Sequence, residues 1–325
     1  MLDRSALLTG VTQWCEARMH RGFTALMYHR VLPDEEALRY PFRSLAMPKS
    51  AFAAQMRWLS EHFTVLPLRA CVEKQDAGRS QDKPLVAVTF DDGYVDNATI
   101  AAPILEEAGL RGTFFITSEF VGTGQPLWFD RFALAYQARG AVELATTVSE
   151  ALHVEIPTFA SLADWMAFAK GRSSGDRETM AECFSNTENS RESMSIEQLC
   201  ELHATGHEIG AHTCSHPLLP DCDDDALSTE LRDSKRELEA WLGAEVPGFA
   251  YPNGDHDERV TAATRSAGYA YACTTSPGIN APGGDPFTLA RLDVTRDRVF
   301  DSKGRFDNLA FRSEVCRVRR FMRAG

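Results

Sequence analysis

Short apolar runs that read as strands alternate with amphipathic runs that read as helices, and this alternation constrains the fold more than any other feature. FTALMYH (23–29), LVAVTF (85–90), GTFFIT (112–117) and HEIGAH (207–212) have the length and apolar content of buried strands. PKSAFAAQMRWLSEHF reads as a helix, with Phe52, Met56 and Leu59 at helical spacing, and NATIAAPILEEAG as another that stops at Gly109. SIEQLCELHATG ends at Gly206, and DDDALSTELRDSKRELEAWLG carries Leu227, Leu231, Leu238 and Leu242 on one face. PGFAY, YAYAC and TLARLDV supply further strands. Strands that alternate with helices pair in parallel, so the expected class is α/β, an open sheet or a barrel. Residues 118–192 break the pattern with helical pieces such as FDRFALAYQA and the polar SNTENSRES. They read as a helical insertion into one domain, because the alternation resumes after them.

A formal net charge of -12 over 325 residues excludes a general nucleic-acid binder, since no positive field draws in phosphates. The eight cysteines are scattered without a CxxC pair, as expected of reduced thiols. The segment 1–22 lacks the uninterrupted apolar core of a signal peptide, and no later stretch approaches the roughly 18 apolar residues a membrane span needs. The expected location is therefore cytoplasmic. The amphipathic N-terminal segment 1–22 and the basic C-terminal segment 301–325 are candidates for peripheral contact with the inner membrane face, against the alternative of solvated tails.

The chemistry gathers at strand ends. LVAVTF runs into Asp91 and Asp92, two adjacent carboxylates that repel unless something neutralises them. A solvated turn would do so, and so would a metal ion. GHEIGAHTCSHP places His212 and His216 four residues apart just beyond a strand, a spacing at which two imidazoles can share one ion. Two imidazoles and one carboxylate leave a metal position open for water, whose pKa the ion lowers while polarising a carbonyl. A second carboxylate beside the site can take the water's proton. The adjacent pair therefore suits both roles. His207 falls at the opposite end of its strand, and His62 and His203 on helices; these three read as structural. The acidic cluster Asp223–Asp225 reads as a helix N-cap with solvated charge.

TFDDGY, HTCSH and FAYPNG, in this order, resemble the metal-binding and active-site motifs of the polysaccharide deacetylases, carbohydrate esterase family four. LMYHRV is similar to the branch whose best-studied members act on poly-N-acetylglucosamine, in which the barrel is circularly permuted. The resemblance runs from about residue 23 to about residue 295. It implies a distorted (β/α)7-type barrel over 23–300, circularly permuted, with the site at the C-terminal ends of the strands. His29, Asp91, Asp92, His212 and Asn253 each fall at or just after a predicted strand end, where barrel enzymes place such residues.

By motif position, the resemblance implies that Asp91 is the general base and that Asp92, His212 and His216 hold a divalent metal. Zinc is expected, although cobalt, nickel or manganese also suit the ligands. His29 matches the general acid, and the backbone N–H of Asn253 the oxyanion donor. The motif arginine that orients the base in unpermuted relatives is replaced here by Ala250; Arg291 in LARLDV either substitutes for it or forms a plain salt bridge. Arg291, Tyr94, Tyr251, Trp128 and Asp130 are the candidate substrate-contacting residues, with packing of the insertion as the alternative for Trp128 and Asp130. The implied partner is an N-acetylated sugar or glycan, from which the enzyme would remove the acetyl group. An amidase or imide hydrolase acting on a non-sugar substrate, and an inactive metal-bearing carbohydrate-binding protein, are the rival readings.

Overall fold

The structure, a computed structural model, describes residues 22–76, 83–184 and 192–316. Its strands are β1 (Phe23–Tyr28), β2 (Arg30–Leu32), β3 (Ala46–Pro48), β4 (Thr64–Val65), β5 (Leu85–Phe90), β6 (Thr113–Ile116), β7 (Glu208–Ala211), β8 (Gly248–Ala250), β9 (Tyr271–Cys273) and β10 (Arg291–Asp293). The main sheet runs β10-β1-β5-β6-β7-β8-β9, every pair parallel, with β4 added beside β5. Leu289, two residues before β10, bridges in parallel to Cys273 at the far edge. Its amide donates to Ala272 O at 2.9 Å and its carbonyl accepts from Thr274 N at 2.9 Å. Those bonds bring the two edges together and make the sheet a barrel.

Outside the barrel stand α1 (Asp34–Arg39), α2 (Lys49–His62), α3 (Leu68–Asp76), α4 (Ala102–Glu107), α8 (Ile196–Ala204), α9 (Asp224–Leu242), α10 (Glu258–Ser266), α11 (Arg296–Val299) and α12 (Asn308–Val315). The helix patterns hold: Phe52, Met56 and Leu59 of α2 and Leu227, Leu231 and Leu238 of α9 are buried against the strands' outer faces. Asp223 caps α9 by accepting from Ala226 N at 2.8 Å, and Asp224 pairs with Arg259, so the acidic cluster is a helix start. His207 is held at the barrel's lower end by Gly112 N at 3.0 Å and Glu106 at 3.3 Å.

Inside the barrel, alternate strand residues meet. Phe23 and Ala25 of β1, Leu85 and Ala87 of β5, Phe115 of β6, Ala250 of β8 and Tyr271 and Cys273 of β9 form one buried cluster. The space is tight: a Cβ on Gly210 would lie 2.5 Å from the Phe115 ring.

Between β6 and β7 lie α5 (Trp128–Leu152, interrupted at Gly140), α6 (Leu162–Lys170) and α7 (Ser174–Glu182). They share a core of their own around Phe132, Leu144, Trp165, Met180 and Phe184. A second cluster, Tyr94, Phe120, Leu127 and Phe129, ties them to the barrel. Within the C-terminal segment, Phe311 and Val315 of α12 are buried, and Phe311 packs edge-on against Trp58. The N-terminal segment and the last nine residues, where membrane contact is expected, lie outside the described residues. No described helix is long and apolar enough to cross a membrane. Cys71, Cys183, Cys200, Cys214, Cys222 and Cys273 are free thiols.

Candidate active site

The strand pleat aims the reactive groups. The inward series of β5 is Leu85, Ala87, Thr89, and the next inward residue is Asp91, just past the strand end. On β1 the same series continues to His29, and on β7 Gly210 is followed by His212. Asp92 would face outward on an extended strand. Its φ of 80°, followed by 97° at Gly93, turns it back towards the barrel mouth. A non-glycine residue held at positive φ stores strain, and such residues gather at functional sites. Thr213 (φ 69°), His216 (φ 61°) and Asn253 (φ 55°) share this mouth.

Asp91 is 2% exposed and Arg291 is fully buried. Arg291 Nη1 donates to Asp91 Oδ1 at 2.6 Å and Nη2 to Oδ2 at 2.7 Å, a two-pronged pair. Burial by itself raises the carboxyl's pKa; the guanidinium outweighs it and holds Asp91 at about 2. Arg291 therefore pairs with Asp91, the carboxylate that the resemblance gives to the motif arginine missing at Ala250. Arg291 does not line the cavity, and two further donors go to Thr274 O at 3.0 Å and Thr89 Oγ1 at 3.3 Å.

Asp92, His212 and His216 offer ligand atoms that all lie within 4.8 Å of one another, and all three residues are buried. Asp92 Oδ1 stands 3.5 Å from His212 Nε2 and 3.6 Å from His216 Nε2. Neither Asp92 oxygen has a hydrogen-bond partner among the described residues. Burial, then the charges of Asp91 and Asp130, push its carboxyl well above the usual range. An orphaned buried carboxylate facing two imidazoles fits a cation, which would reverse that push. His212 Nδ1 lies 2.7 Å from Ala250 O. Donation there fixes the tautomer that leaves Nε2 free to ligate. Burial takes His212 down to about 4 and His216 well below the usual imidazole value, so both are neutral, as ligation requires. Glu230 of α9 holds the loop between the histidines: its carboxylate accepts from Cys214 N at 2.8 Å, Ser215 N at 3.0 Å and Ser215 Oγ at 2.6 Å.

Three expected substrate contacts are elsewhere. Tyr94 is fully buried and its hydroxyl donates to Asp130 at 2.6 Å; the Tyr40 hydroxyl donates to the other oxygen of Asp130. Both rings lie beneath the Arg30 guanidinium, at 4.5 and 5.0 Å, and Arg30 pairs with Asp96 at 2.8 Å and Glu192 at 2.7 Å. Tyr94 and Asp130 thus pin the insertion to the loop carrying Asp92, behind the cavity wall. Tyr251 follows the inward Ala250, so the pleat turns it outward. There it stacks on His256 and donates to Phe287 O at 3.1 Å.

The cavity over the site measures about 220 Å³. His29, Asp91, Asp92, His212 and His216 form its floor, and Asn253 and Thr275 one side. Asn253 O accepts from Thr275 Oγ1 at 2.9 Å; a Cβ on Gly254 would lie 2.3 Å from that hydroxyl oxygen. Phe42, Ser44 and Leu45 come from the segment before β3. Trp128 lines the cavity and also packs on the insertion core, and with Phe129, Met166 and Lys170 it forms a roof supplied by the insertion. Lys170 Nζ donates to Asn253 Oδ1 at 2.9 Å. Sequence reasoning misses Lys170, although Met166 and Lys170 stand four apart on one helix and so share a face.

A family model described as polysaccharide deacetylase matches residues 78–152 and 176–272, more than half of the chain. The chain is 22% identical over 284 residues to YxkH of Bacillus subtilis (strain 168), covering 87% of this chain and 75% of that one. Among solved structures it is similar to the Streptococcus pyogenes deacetylase PplD, with a TM-score of 0.58, 18% identity and coverage of 85% and 94% of the two chains. It is also similar to IcaB from Ammonifex degensii, with a TM-score of 0.57, 21% identity and coverage of 85% and 93%. At these identities, the structural likenesses establish a shared barrel fold.

Proposed function

This chain belongs to the polysaccharide deacetylase family, and on that premise we propose that it hydrolyses the N-acetyl group of an amino sugar, releasing acetate and a free amine. The observation that carries the reading is the buried Asp92–His212–His216 cluster, which shares one cavity with Asp91 and His29. The solved relative PplD was captured with acetate, the product this reaction would release.

Asp92, His212 and His216 would hold a divalent ion, which when bound would supply Lewis acidity at the site; zinc suits the ligand set, as do cobalt, nickel and manganese. Asp91, kept ionised and oriented by Arg291, accepts the attacking water's proton. The backbone N–H of Asn253, in the turn after β8, is the donor we assign to the oxygen that gains charge. His29 passes a proton to the departing nitrogen. Its Nδ1 is buried without a protein partner among the described residues, so that nitrogen is not committed to a structural bond. Burial lowers its pKa and the charge of Asp91 partly restores it, which makes the protonated ring a ready donor.

The test is acetate release by metal-loaded protein from N-acetylglucosamine and its oligomers. Release that chelator abolishes and metal restores supports the reading. Cleavage of non-sugar amides with no acetate from any sugar would replace it with an amidase.

A further inference from the structure

We propose that the sugar taken by this cavity carries an anionic group, a carboxylate or a phosphate, close to its acetamido function, and that Lys170 receives it. The inference rests on the deacetylase reading above and adds the charge of the substrate to it.

Lys170 ends α6 and reaches the cavity from its roof. Among the described residues its one side-chain hydrogen bond is to a neutral acceptor, Asn253 Oδ1 at 2.9 Å, although an ammonium has three donors to place. No carboxylate among the described residues is within ion-pair distance of it; Asp255 acts on it only through space. Burial lowers its pKa, the mark of a cation held partly out of water without a counter-ion. The acidic groups of the cavity have other employment: Asp91 is paired with Arg291, and Asp92 faces the two imidazoles.

Size places the anion. A cavity of about 220 Å³ is smaller than the roughly 300–1,000 Å³ of pockets for drug-sized ligands. It is also roofed by Trp128 and Met166. A group that reaches Lys170 there is on the reacting sugar or its immediate linkage. A neutral hydroxyl could accept from Lys170 as well, but a charge-assisted bond is roughly twice as strong and relieves the unpaired cation.

The experiment compares kcat/KM for acetate release by the metal-loaded full-length protein. The substrates are N-acetylglucosamine, its 1-phosphate, its 6-phosphate and N-acetylmuramic acid. A charged hydrogen bond of about 1.5–3 kcal/mol corresponds to a preference of about tenfold or more for an anionic sugar. Lys170→Met should lower that ratio of anionic to neutral by about tenfold, and Lys170→Arg should keep most of it. The phosphates and the carboxylate then identify which anion is meant. Equal rates on neutral and anionic sugars would overturn the proposal. So would an equal loss on all of them in Lys170→Met, which would place Lys170 on the common acetyl oxygen or on Asn253. Acetate release without charge preference sinks this inference alone, whereas no release from any sugar sinks the deacetylase reading. Calorimetric binding of the same sugars to Asp91→Asn protein reads the charge preference without turnover, and preference for the neutral sugar there also overturns the proposal.

Discussion

Replacing Arg291 by methionine removes four hydrogen bonds and a buried charge while keeping much of the side-chain volume. Two of those bonds go to Asp91, at 2.6 and 2.7 Å, and both partners are buried. Breaking such a pair by deleting one member costs about 3–5 kcal/mol, because the other charge stays behind in a low dielectric. The loss should also depend on pH. In the intact protein Asp91 has a folded pKa of about 2 against an ordinary value of 3.8. A depressed carboxylate adds stability that is present above the unfolded pKa and lost as pH falls through the folded one. Here the addition is about 2–3 kcal/mol, lost between about pH 4 and pH 2.

In Arg291→Met the main opponent of burial is gone and only the weaker pull of His212 and His29 remains, so the Asp91 pKa should rise above 3.8 and its contribution change sign. The variant then loses stability as pH rises from about 4 towards neutrality, by about 1.4 kcal/mol for each unit of upward shift. Urea unfolding of metal-free protein followed by circular dichroism, at pH 4 and at pH 7, reads both quantities. The gap between wild type and variant should be wider at pH 7 by more than about 1 kcal/mol. Adding Asp91→Asn to Arg291→Met should recover part of the loss, since a neutral amide needs no cation. A pH-independent gap, or a double variant as unstable as the two single losses added together, would refute the reasoning.

Asp91→Asn should lower turnover by about 10²–10⁴-fold while the protein still binds metal, whereas His212→Ala should lose the metal, as read by elemental analysis after dialysis. Near-normal activity in Asp91→Asn would remove the base assignment. His29→Gln should cost about 10²–10⁴ in kcat and flatten the alkaline limb of the pH–rate profile; an unchanged limb would assign that ionisation elsewhere. Glu230→Ala frees the loop between the two histidines and should weaken metal binding by about 10–100-fold, measured by chelator competition; unaltered affinity would make Glu230 a helix-surface residue only.

The barrel and the Asp92–His212–His216 cluster were legible because both are written in local patterns. Strand-length apolar runs end at reactive residues, and the DD and HxxxH spacings put potential ligands on single turns. What was not legible depends on parity and on long-range packing. Tyr251 faces outward because Ala250, one residue earlier, faces inward, and in a strand of three residues no alternation is visible to say so. Tyr94 reads as a cleft residue because it closes the TFDDGY motif, and Asp130 as either a cleft residue or packing of the insertion, which is where it lies. Only the folded positions of Tyr40 and Arg30 reveal that they form a staple. Glu230 sits among the many charged residues of α9 and Lys170 in the last turn of α6, where a basic residue suits the helix dipole, so ordinary helix patterns conceal them.

The missing motif arginine shows how interior volume decides such a case. Arg291 is on β10, two strands away from the β5 end that carries Asp91, with β1 between them. Its register partner on β1 is Ala25, and the partner of Ala25 on β5 is Ala87. Two successive alanines on the inner face leave a channel along which the guanidinium crosses to the carboxylate, lying 5.4 Å over the Phe115 ring. With that volume filled, a second long side chain at position 250 would have to enter a space occupied by Phe115, Tyr271 and Arg291. Alanine fits there, and the backbone carbonyl of the same residue remains free to orient His212. The buried Asp91 carboxylate requires a cation beside it; it does not require that the cation come from a particular strand, because in a barrel every inward position near the mouth approaches the same axis.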